Sequence, residues 1–368
     1  MVSDPGPDGG KSSVAAAGAV PGASVRPARP EPSPAGEAPA LTPARLAELL
    51  ERYGDHPSIG LVLNAGMEYF TDRSAAGLIA YRRAGRYLFQ FGGVFGPPEA
   101  KPALLRAFLE SARARGERVC AVQLRDSEVD MYHRHGFRMN QLGLSYTVSL
   151  AEFNTRGTRF MKLRNKIKRA KGLGIEVREL GRDLPITAKV RQDLDAITQA
   201  WVRAKGRHKK VLEFLVGEID AVEREGTRCF VALREEKVIA FITYVPSYGR
   251  LAGLMHDLSR RLPDCPPGVM ELINLTAIER FQSEGVRYLN FGLTPFVGVS
   301  DVLGSHSRVV AWVVRLLERH GEAIYPAMSQ VAYKQKWSPQ IIEPEYFAFQ
   351  GRFRLGCLWQ LLRLTRSV

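Results

Sequence analysis

Apolar residues recur along the chain in strand-like and helical patterns that follow the same order twice. Residues 41–54 have helical periodicity, with Thr42 placed to cap the helix and Pro43 at its first position. Short apolar runs then predict strands, and residues 101–116 have the spacing of an amphipathic helix before a buried-strand pattern. The second half repeats the order, with a hairpin at 227–246, a helix at 269–285 and a strand at 286–293. The chain is therefore predicted to be mixed α/β (α+β).

The repeat has a constant offset of 169 residues. It relates Pro97-Pro98 to Pro266-Pro267, Glu110 to Glu279, Gly116 to Gly285 and Arg118 to Arg287. In both copies a strand leads to the proline pair, then to a helix, to Gly-x-Arg and to a buried strand. We infer two copies of one α/β unit, at about 45–150 and 185–320. The alternative is two unrelated α/β segments that share common turn and helix-end residues.

A strongly basic segment lies between the copies. Residues 156–171 contain eight basic and no acidic residues. Phe160, Leu163, Ile167 and Ala170 lie on one helical stripe. The helix is expected to pack by that stripe and to expose seven cations: Arg159, Lys162, Arg164, Lys166, Lys168, Arg169 and Lys171. Two interpretations are open: these cations contact phosphates of nucleic acid or lipid, or they form a face exposed to solvent. A second basic group, Arg203, Lys205, Arg207, Lys209 and Lys210, is expected to join that surface.

Composition narrows the classes of protein. The 368 residues carry a formal charge of +14 and 45% hydrophobic residues, which fits a globular chain with a polyanionic partner. Residues 1–40 are rich in Pro and Ala and are expected to be disordered, without the features of a secretory signal. No apolar run is long enough for a transmembrane segment, so a cytoplasmic location is expected. The four cysteines form no CxxC, and no cluster has metal-ligand spacing.

One motif matches a phosphate-binding loop but lies in the wrong structural context. Residues 169–174, RAKGLG, fit the phosphate loop of acetyl-CoA N-acetyltransferases. That loop should follow a strand and begin a helix, whereas here it ends the basic helix. Gly172 and Gly174 are interpreted as a helix end and a turn.

Candidate chemistry lies in three later polar segments. These are His256-Asp257-Leu258-Ser259-Arg260, Asn290-Phe291-Gly292 and Tyr333-Lys334-Gln335-Lys336-Trp337. Asp257 and Arg260, beside a helix carrying Glu271, suit recognition of an amino acid's ammonium group by charge-assisted hydrogen bonds. A structural Asp257–Arg260 turn pair is the alternative.

These segments closely resemble the soluble C-terminal domain of the phosphatidylglycerol lysyltransferases, which are aminoacyl-tRNA-dependent lipid aminoacyltransferases. The resemblance covers about 58–350 and includes NAGMEYFTDRSAAGLIAYRRAGRYLFQFGGVFGPPE, KLRNKIKRAKGLGIEV, DLSRRLPDCPPGVMELI and AYKQKWSPQIIEPEYFAFQG. The family's Asp-Leu-Met-Arg, Met-Asp and Tyr-Lys-x-Lys-Phe motifs fall on 257–260, 270–271 and 333–337. Ser259, Glu271 and Trp337 depart from those motifs and leave open the transferred amino acid and the acceptor.

The resemblance implies two tandem N-acetyltransferase-like (GNAT) domains, at 41–153 and 185–368, joined by a basic helix and strand at 154–184. It implies aminoacyl-tRNA as co-substrate, no cofactor, and a hydroxyl or amine acceptor on a phosphatidylglycerol-like lipid, a metabolite or a peptide. Asp257, with Glu271, would bind the ammonium group; Arg260, Lys334 and Lys336 would contact phosphate. Asn290, Gly292 and His256 would supply polar contacts, and the basic helix would bind tRNA or an anionic membrane. The alternatives are an acyl-CoA N-acyltransferase and a non-catalytic nucleic-acid or membrane-binding module. Without a membrane portion, lipid flipping is not expected.

Overall fold

A computed structural model describes residues 41–204, 214–300, 307, 310–312, 314–315 and 327–365. The tail expected at 1–40 and four residues of the second basic group, Lys205, Arg207, Lys209 and Lys210, lie outside the described residues. The helices are α1 (Pro43–Tyr53), α2 (Lys101–Ala114), α3 (Val129–Arg134), α4 (Met161–Gly172), α5 (Ala188–Ala204), α6 (Val269–Ser283), α7 (Ala327–Gln335) and α8 (Leu355–Leu364). The strands are β1 (Glu68–Asp72), β2 (Ala75–Ala84), β3 (Tyr87–Phe91), β4 (Arg118–Arg125), β5 (Phe137–Ser149), β6 (Glu176–Glu179), β7 (Arg228–Arg234), β8 (Lys237–Ser247), β9 (Gly253–Arg261), β10 (Tyr288–Pro295) and β11 (Ile341–Gln350).

The predicted capping of α1 is confirmed. The Thr42 hydroxyl accepts a hydrogen bond from the Arg45 amide at 3.2 Å, and Pro43 occupies the first turn. Leu46, Leu49 and Leu50 form the buried face of this helix. The helix therefore forms as its local sequence dictates.

All eleven described strands form one sheet in the order β1-β2-β3-β4-β11-β5-β10-β9-β8-β7-β6. The pairs β3–β4 and β9–β10 are parallel, and the other pairs between named strands are antiparallel. β5 ends the N-terminal repeat and β11 follows the C-terminal repeat, and both lie in the middle of the sheet, where β11 pairs with β4 and β5 pairs with β10. Each repeat thus contributes one strand to the neighbourhood of the other.

The 169-residue offset is reproduced in the elements. Adding 169 to the bounds of α2 gives 270–283, and α6 is Val269–Ser283. The same shift of β4 gives 287–294, and β10 is Tyr288–Pro295. The chain is therefore a tandem pair of one α/β unit, as the spacing predicts. The domain boundaries at 153 and 185 stay predictions.

The basic helix packs as its pattern predicts. Phe160, Leu163, Ile167 and Ala170 are all buried in one core cluster with residues of α6. The seven predicted cations are all exposed. At the start of α6, Gly268 lies so close to the Lys166 carbonyl that a Cβ there would overlap it, and its φ is +97°. This contact fixes α4 across the N-terminus of α6.

The segment that matches a phosphate-binding loop ends a helix. Gly172 is the last residue of α4, and Gly174 turns the chain with a φ of +71° before β6. The amide groups of this segment therefore do not open a helix, as the sequence interpretation expects.

Candidate functional site

The two parallel strands of the C-terminal repeat separate beside the predicted polar segments. β9 and β10 pair at Tyr288↔Gly253, Leu289↔Leu254 and Asn290↔Met255, after which no further pair joins them. β10 continues against β5, with a register shift between Asn290 and Leu293. The carbonyls that follow Asn290 thus lose their partner strand, and we call this opening the β9–β10 gap.

Lys334 fills part of the gap. Its Nζ donates to the carbonyls of Gly292 and Leu293 at 2.8 and 3.1 Å. The residue is 5% exposed, and its ammonium also lies 5.4 Å from the Tyr146 ring centroid. Burial lowers the pKa of Lys334 to about 7. The contacts of this lysine are thus with main chain and protein side chains, and its predicted contact with phosphate stays a prediction.

The N-terminal repeat has an equivalent gap with a different filling. Gln123 lies 169 residues before Gly292, and both have left-handed backbone, with φ of 56° and 61°. The Gln123 carbonyl bonds His56 Nε2 at 2.8 Å, where Gly292 bonds Lys334. The local sequence around His56 gives no signal of this role, because the partner lies 67 residues away.

Glu345 shares the Lys334 site and was not predicted. It is 1% exposed and accepts a hydrogen bond from the Ser145 hydroxyl. Burial raises the pKa of Glu345 to about 7, against the effects of Ser145 and of the Arg125 and Lys334 cations. Sequence reasoning missed it because β11 reaches the gap only through the exchange of central strands.

His256 lies at the gap within an aromatic cluster. Its ring centroid is 5.6 Å from that of Tyr244, 5.4 Å from Phe291 and 5.9 Å from Tyr333. Burial, together with the Lys334 cation, lowers the pKa of His256 to about 3, so the imidazole is neutral at physiological pH. A neutral ring has one nitrogen that donates and one that accepts a hydrogen bond.

Several buried polar atoms around this gap have no hydrogen-bond partner among the described residues. They are His256 Nε2, Asn274 Nδ2, Thr294 Oγ1 and Glu345 Oε2. Asn274 belongs to the cluster because its Oδ1 accepts from Tyr244. Unpaired buried polar atoms are uncommon in folded proteins and mark places where water or a ligand supplies the partner.

Asn290 has its hydrogen-bonding capacity occupied. Its Oδ1 accepts from Thr147 at 2.7 Å, and its Nδ2 donates to Ser247 Oγ at 2.7 Å and to the Leu251 carbonyl at 3.2 Å. The side chain is fully buried. These bonds tie β5 and β8 to β10, so Asn290 holds the gap in shape.

Asp257 and Arg260 form a second cluster. The carboxylate of Asp257 accepts from the Gly217 amide, and a Cβ on Gly217 would overlap that carboxylate. Burial raises the pKa of Asp257 to about 7, although Arg260 and Arg224 oppose the shift. The Arg260 guanidinium lies 3.9 Å from the Trp201 ring centroid, and burial lowers its pKa to about 10.

Glu271 belongs to a third group with two lysines. Its Oε1 lies 2.9 Å from Lys336 Nζ and 3.6 Å from Lys166 Nζ. Although burial opposes ionisation, the Lys336 ammonium holds the pKa of Glu271 below its usual value. Lys336 also lies 5.2 Å from the ring centroid of Tyr333. Glu271 therefore connects the basic helix to the aromatic cluster around His256.

The structure thus distributes the predicted residues over neighbouring sites. His256, Gly292 and Lys334 meet at the gap, and Glu271 and Lys336 meet beside α4. Asp257 lies against Gly217, within electrostatic range of Arg260. Within the described ranges, no group of three His, Cys, Asp or Glu residues could hold a metal ion. Over the same ranges, none of the helices has the length and apolar character needed to cross a bilayer.

Comparisons with known proteins agree on one family. The profile of the phosphatidylglycerol lysyltransferase C-terminal domain matches residues 47–349. Phosphatidylglycerol lysyltransferase of Bacillus subtilis is 24% identical over 303 residues, which is 81% of this chain and 34% of that protein. The lysylphosphatidylglycerol biosynthesis bifunctional protein LysX of Mycobacterium leprae is 24% identical over 299 residues, or 79% of this chain and 26% of that protein. The chain spans about a third or less of the length of these relatives.

Solved structures show the same fold. L-PGS from Bacillus licheniformis has a TM-score of 0.70 at 22% identity, over 90% of this chain and 99% of that one. The C-terminal domain of a putative lysylphosphatidylglycerol synthetase from Agrobacterium fabrum has a TM-score of 0.71 at 22% identity, over 88% and 95%. The predicted α/β class and the tandem arrangement of two similar units are confirmed, and the likeness of each unit to the N-acetyltransferases stays a prediction. The chain belongs to the family of the phosphatidylglycerol lysyltransferase C-terminal domain.

Proposed function

We propose that this chain transfers an aminoacyl group from charged tRNA to a hydroxyl or amine acceptor, with a phosphatidylglycerol-like lipid as the favoured acceptor and the cytoplasmic face of a membrane as the place of action. The observation that carries the proposal is the family match across residues 47–349, which includes the β9–β10 gap and α4. The unpaired polar atoms at the gap support it, because they offer partners to a bound substrate.

The reaction needs little covalent chemistry from the protein. The acceptor oxygen or nitrogen attacks the carbonyl carbon of the aminoacyl ester. The bond between that carbon and the ribose oxygen of tRNA then breaks, and the acceptor's proton passes to the ribose oxygen. Since the ester is already activated, the chain's tasks are alignment and stabilisation of the developing oxyanion.

The structure favours Asp257 over Glu271 for the ammonium group. Glu271 already has two lysine partners, at 2.9 and 3.6 Å. Asp257 has a pKa raised by burial to about 7, and a bound ammonium group would stabilise its ionised form. Gly217 leaves the carboxylate without steric competition from a side chain. We therefore assign the ammonium contact to Asp257 and keep Glu271 as a link to α4.

His256 is the candidate for carrying the proton. Its imidazole is neutral, and its Nε2 has no partner among the described residues. It lies beside Lys334, whose ammonium would stabilise negative charge that develops in the gap. The exposed cations of α4 would bind tRNA phosphates, and the Lys166–Glu271 pair connects that surface to the gap.

The test is transfer of labelled amino acid from a charged tRNA pool to phosphatidylglycerol vesicles. We expect an RNase-sensitive lipid adduct with the unaltered chain and at least a hundredfold slower transfer with Asp257→Asn, since a bound ammonium would lose its charged partner. Asp195→Asn, an exposed aspartate on α5, is the matched control and should leave the rate unchanged.

Three results would count against the proposal or its assigned residues. Transfer supported by acyl-CoA and insensitive to RNase would favour the acyl-CoA alternative. Full activity of Asp257→Asn in a folded chain would remove Asp257 from the site. Absence of transfer from any charged tRNA, with binding retained, would favour a non-catalytic module.

A further inference from the structure

The C-terminal helix α8 has one side packed on the protein and another exposed. Cys357 is 2% exposed, and its Sγ lies 3.0 Å from the Sγ of Cys120 on β4. On the exposed side, Leu355 is 70% and Trp359 54% exposed, one helical turn apart. A large aromatic residue and a leucine exposed together form an apolar surface suited to an interface.

A groove beside the start of α8 is rimmed by arginines. Its cavity volume is about 350 Å³, and buried or half-buried apolar side chains line it: Leu109, Val119, Phe349 and Phe353. The rim contains four exposed arginines, for which no described residue forms an ion pair: Arg113, Arg118, Arg352 and Arg354. Glu117 also lines the groove, but it pairs with Arg83 and Arg115. The rim is therefore open to an anionic group from outside.

We propose that α8 and this groove dock the chain onto an anionic phospholipid bilayer. Trp359 and Leu355 enter the boundary between headgroups and acyl chains, and Arg352 and Arg354 bind lipid phosphates. Residues 351–365 contain three arginines and no acidic residue, so their charge complements an anionic surface. A helix of ten residues is about 15 Å long and lies in the plane of the bilayer rather than across it.

The docking surface is separate from the proposed tRNA surface. α8 packs on β2 and β3, near one end of the sheet order, whereas α4 packs on α6. α6 in turn packs on β6, β7 and β8, at the other end of that order. The chain can therefore contact a bilayer and tRNA at the same time. The docking would place the chain beside the lipid acceptor of the proposed function, but it is measurable without tRNA.

Flotation with vesicles tests the docking. We expect the full chain to bind vesicles containing phosphatidylglycerol and phosphatidylcholine, and to bind phosphatidylcholine alone at least tenfold more weakly. Arg352→Gln with Arg354→Gln should weaken binding to the anionic vesicles by about tenfold or more, since each cation near an anionic surface contributes. Trp359→Glu should also weaken binding to the anionic vesicles.

Two variants serve as matched controls. The control for charge is Arg234→Gln with Lys237→Gln in the β7–β8 turn. The control for apolar surface is Leu173→Glu, at a leucine that is 42% exposed.

Quenching by brominated lipid locates the contact. The chain has four tryptophans, and we expect the quenching to come from Trp359. Trp359→Phe should therefore lose the quenching while it keeps vesicle binding, because phenylalanine preserves the apolar contact. Thermal unfolding of every variant shows that the fold is intact.

The outcomes separate this proposal from the proposed function. Unchanged binding by the double arginine variant, or quenching that persists in Trp359→Phe, would overturn the docking site. Equal binding to neutral vesicles would do the same. Normal vesicle binding without any transfer from tRNA would count against the proposed function and leave the docking site supported.

Discussion

At the scale of single residues, His56 and Lys334 have the same role in the two repeats, which is to bond a strand carbonyl that has lost its partner strand. Each places one nitrogen on the carbonyl at a residue with left-handed backbone, Gln123 or Gly292, where a parallel partner strand has departed. A buried carbonyl without a donor costs about 1–3 kcal/mol, so both side chains stabilise their gap. The lysine adds a charge and the histidine does not, and only the repeat with the lysine carries the predicted polar segments.

His56 should make stability fall in acid. Its Nδ1 accepts from the Ser58 amide and its Nε2 donates to the Gln123 carbonyl, so the neutral ring fits and the charged ring would lose the first bond. Burial, with Arg125, lowers the pKa of His56 from 6.5 to about 3. The folded chain thus binds fewer protons than the unfolded chain between those values. The contribution is present above pH 6.5 and is lost as the pH falls toward 3, by roughly 3–5 kcal/mol.

The measurement is the free energy of unfolding in urea from pH 7 to pH 4. His56→Asn should be less stable at pH 7, and its free energy of unfolding should fall less steeply as the pH decreases to 4. His135→Asn is the matched control, because that ring is partly exposed and, among the described residues, bonds the Met131 carbonyl alone. A fall of equal steepness in His56→Asn would disprove the assignment.

Lys334 and Glu345 should behave as a coupled pair. Lys334→Met removes the donor to two buried carbonyls and should cost about 2–4 kcal/mol of stability. It also deprives Glu345 of a nearby cation. In the double variant with Glu345→Gln, part of that cost should be recovered, because no buried carboxylate is left without its partner. Additive free energies of unfolding across the cycle would show that the two groups do not interact.

At the scale of elements, features that depend on contacts between residues close in sequence were predicted, and features that depend on long-range contacts were not. The stripe on α4 and the cap of α1 depend on spacings of a few residues, and both are confirmed. The exchange of β5 and β11 could not be predicted, because two apolar strands of similar pattern satisfy either position in the sheet. Glu345, and the bond from His56 to Gln123, depend on long-range contacts of the same kind, so the pattern of polar residues gave no signal for them.

The candidate site was predicted in part, because its residues also depend on contacts of both kinds. The polar segments of β9, β10 and α7 do come together, since they lie at strand ends and on a helix that packs there. Their division into separate groups depends on which face each side chain of β9 takes. A register shift between β8 and β9 lies near Asp257 and His256, and such an irregularity is not visible in the hydrophobic pattern.

The cations of α4 should act through tRNA phosphates. Lys162, Lys168 and Lys171 are exposed, and no described residue forms an ion pair with them, so their replacement by Gln should leave stability within about 0.5 kcal/mol. If each contacts one phosphate, the slope of log K against log salt should decrease by about 2–3 in magnitude. The measurement is tRNA binding at several salt concentrations, with Arg234→Gln plus Lys237→Gln as the control. An unchanged slope would mean that the helix is only solvated.

At the scale of the whole molecule, the sheet binds the two repeats into one structure. All described residues fall in one compact unit that spans residues 40–368. The core of the N-terminal repeat includes Phe347 and Phe349 of β11, and the core of the C-terminal repeat includes Tyr146 and Val148 of β5. Each repeat therefore lacks part of its core without the other.

The two halves should not fold independently. A fragment of residues 41–153 would have β4 without the β11 pairing at Tyr346↔Leu124 and Phe349↔Cys120, and β5 without its pairing to β10. Unpaired central strands expose backbone groups and apolar side chains that drive aggregation.

We expect each fragment, 41–153 or 154–368, to be unfolded or aggregated alone. A mixture of the two, refolded together, should recover the circular dichroism of the intact chain. The intact chain should unfold in a single transition by both circular dichroism and tryptophan fluorescence. A folded, monomeric 41–153 fragment would show that the strand exchange is dispensable, and that the repeats are separate domains as the sequence spacing alone suggests.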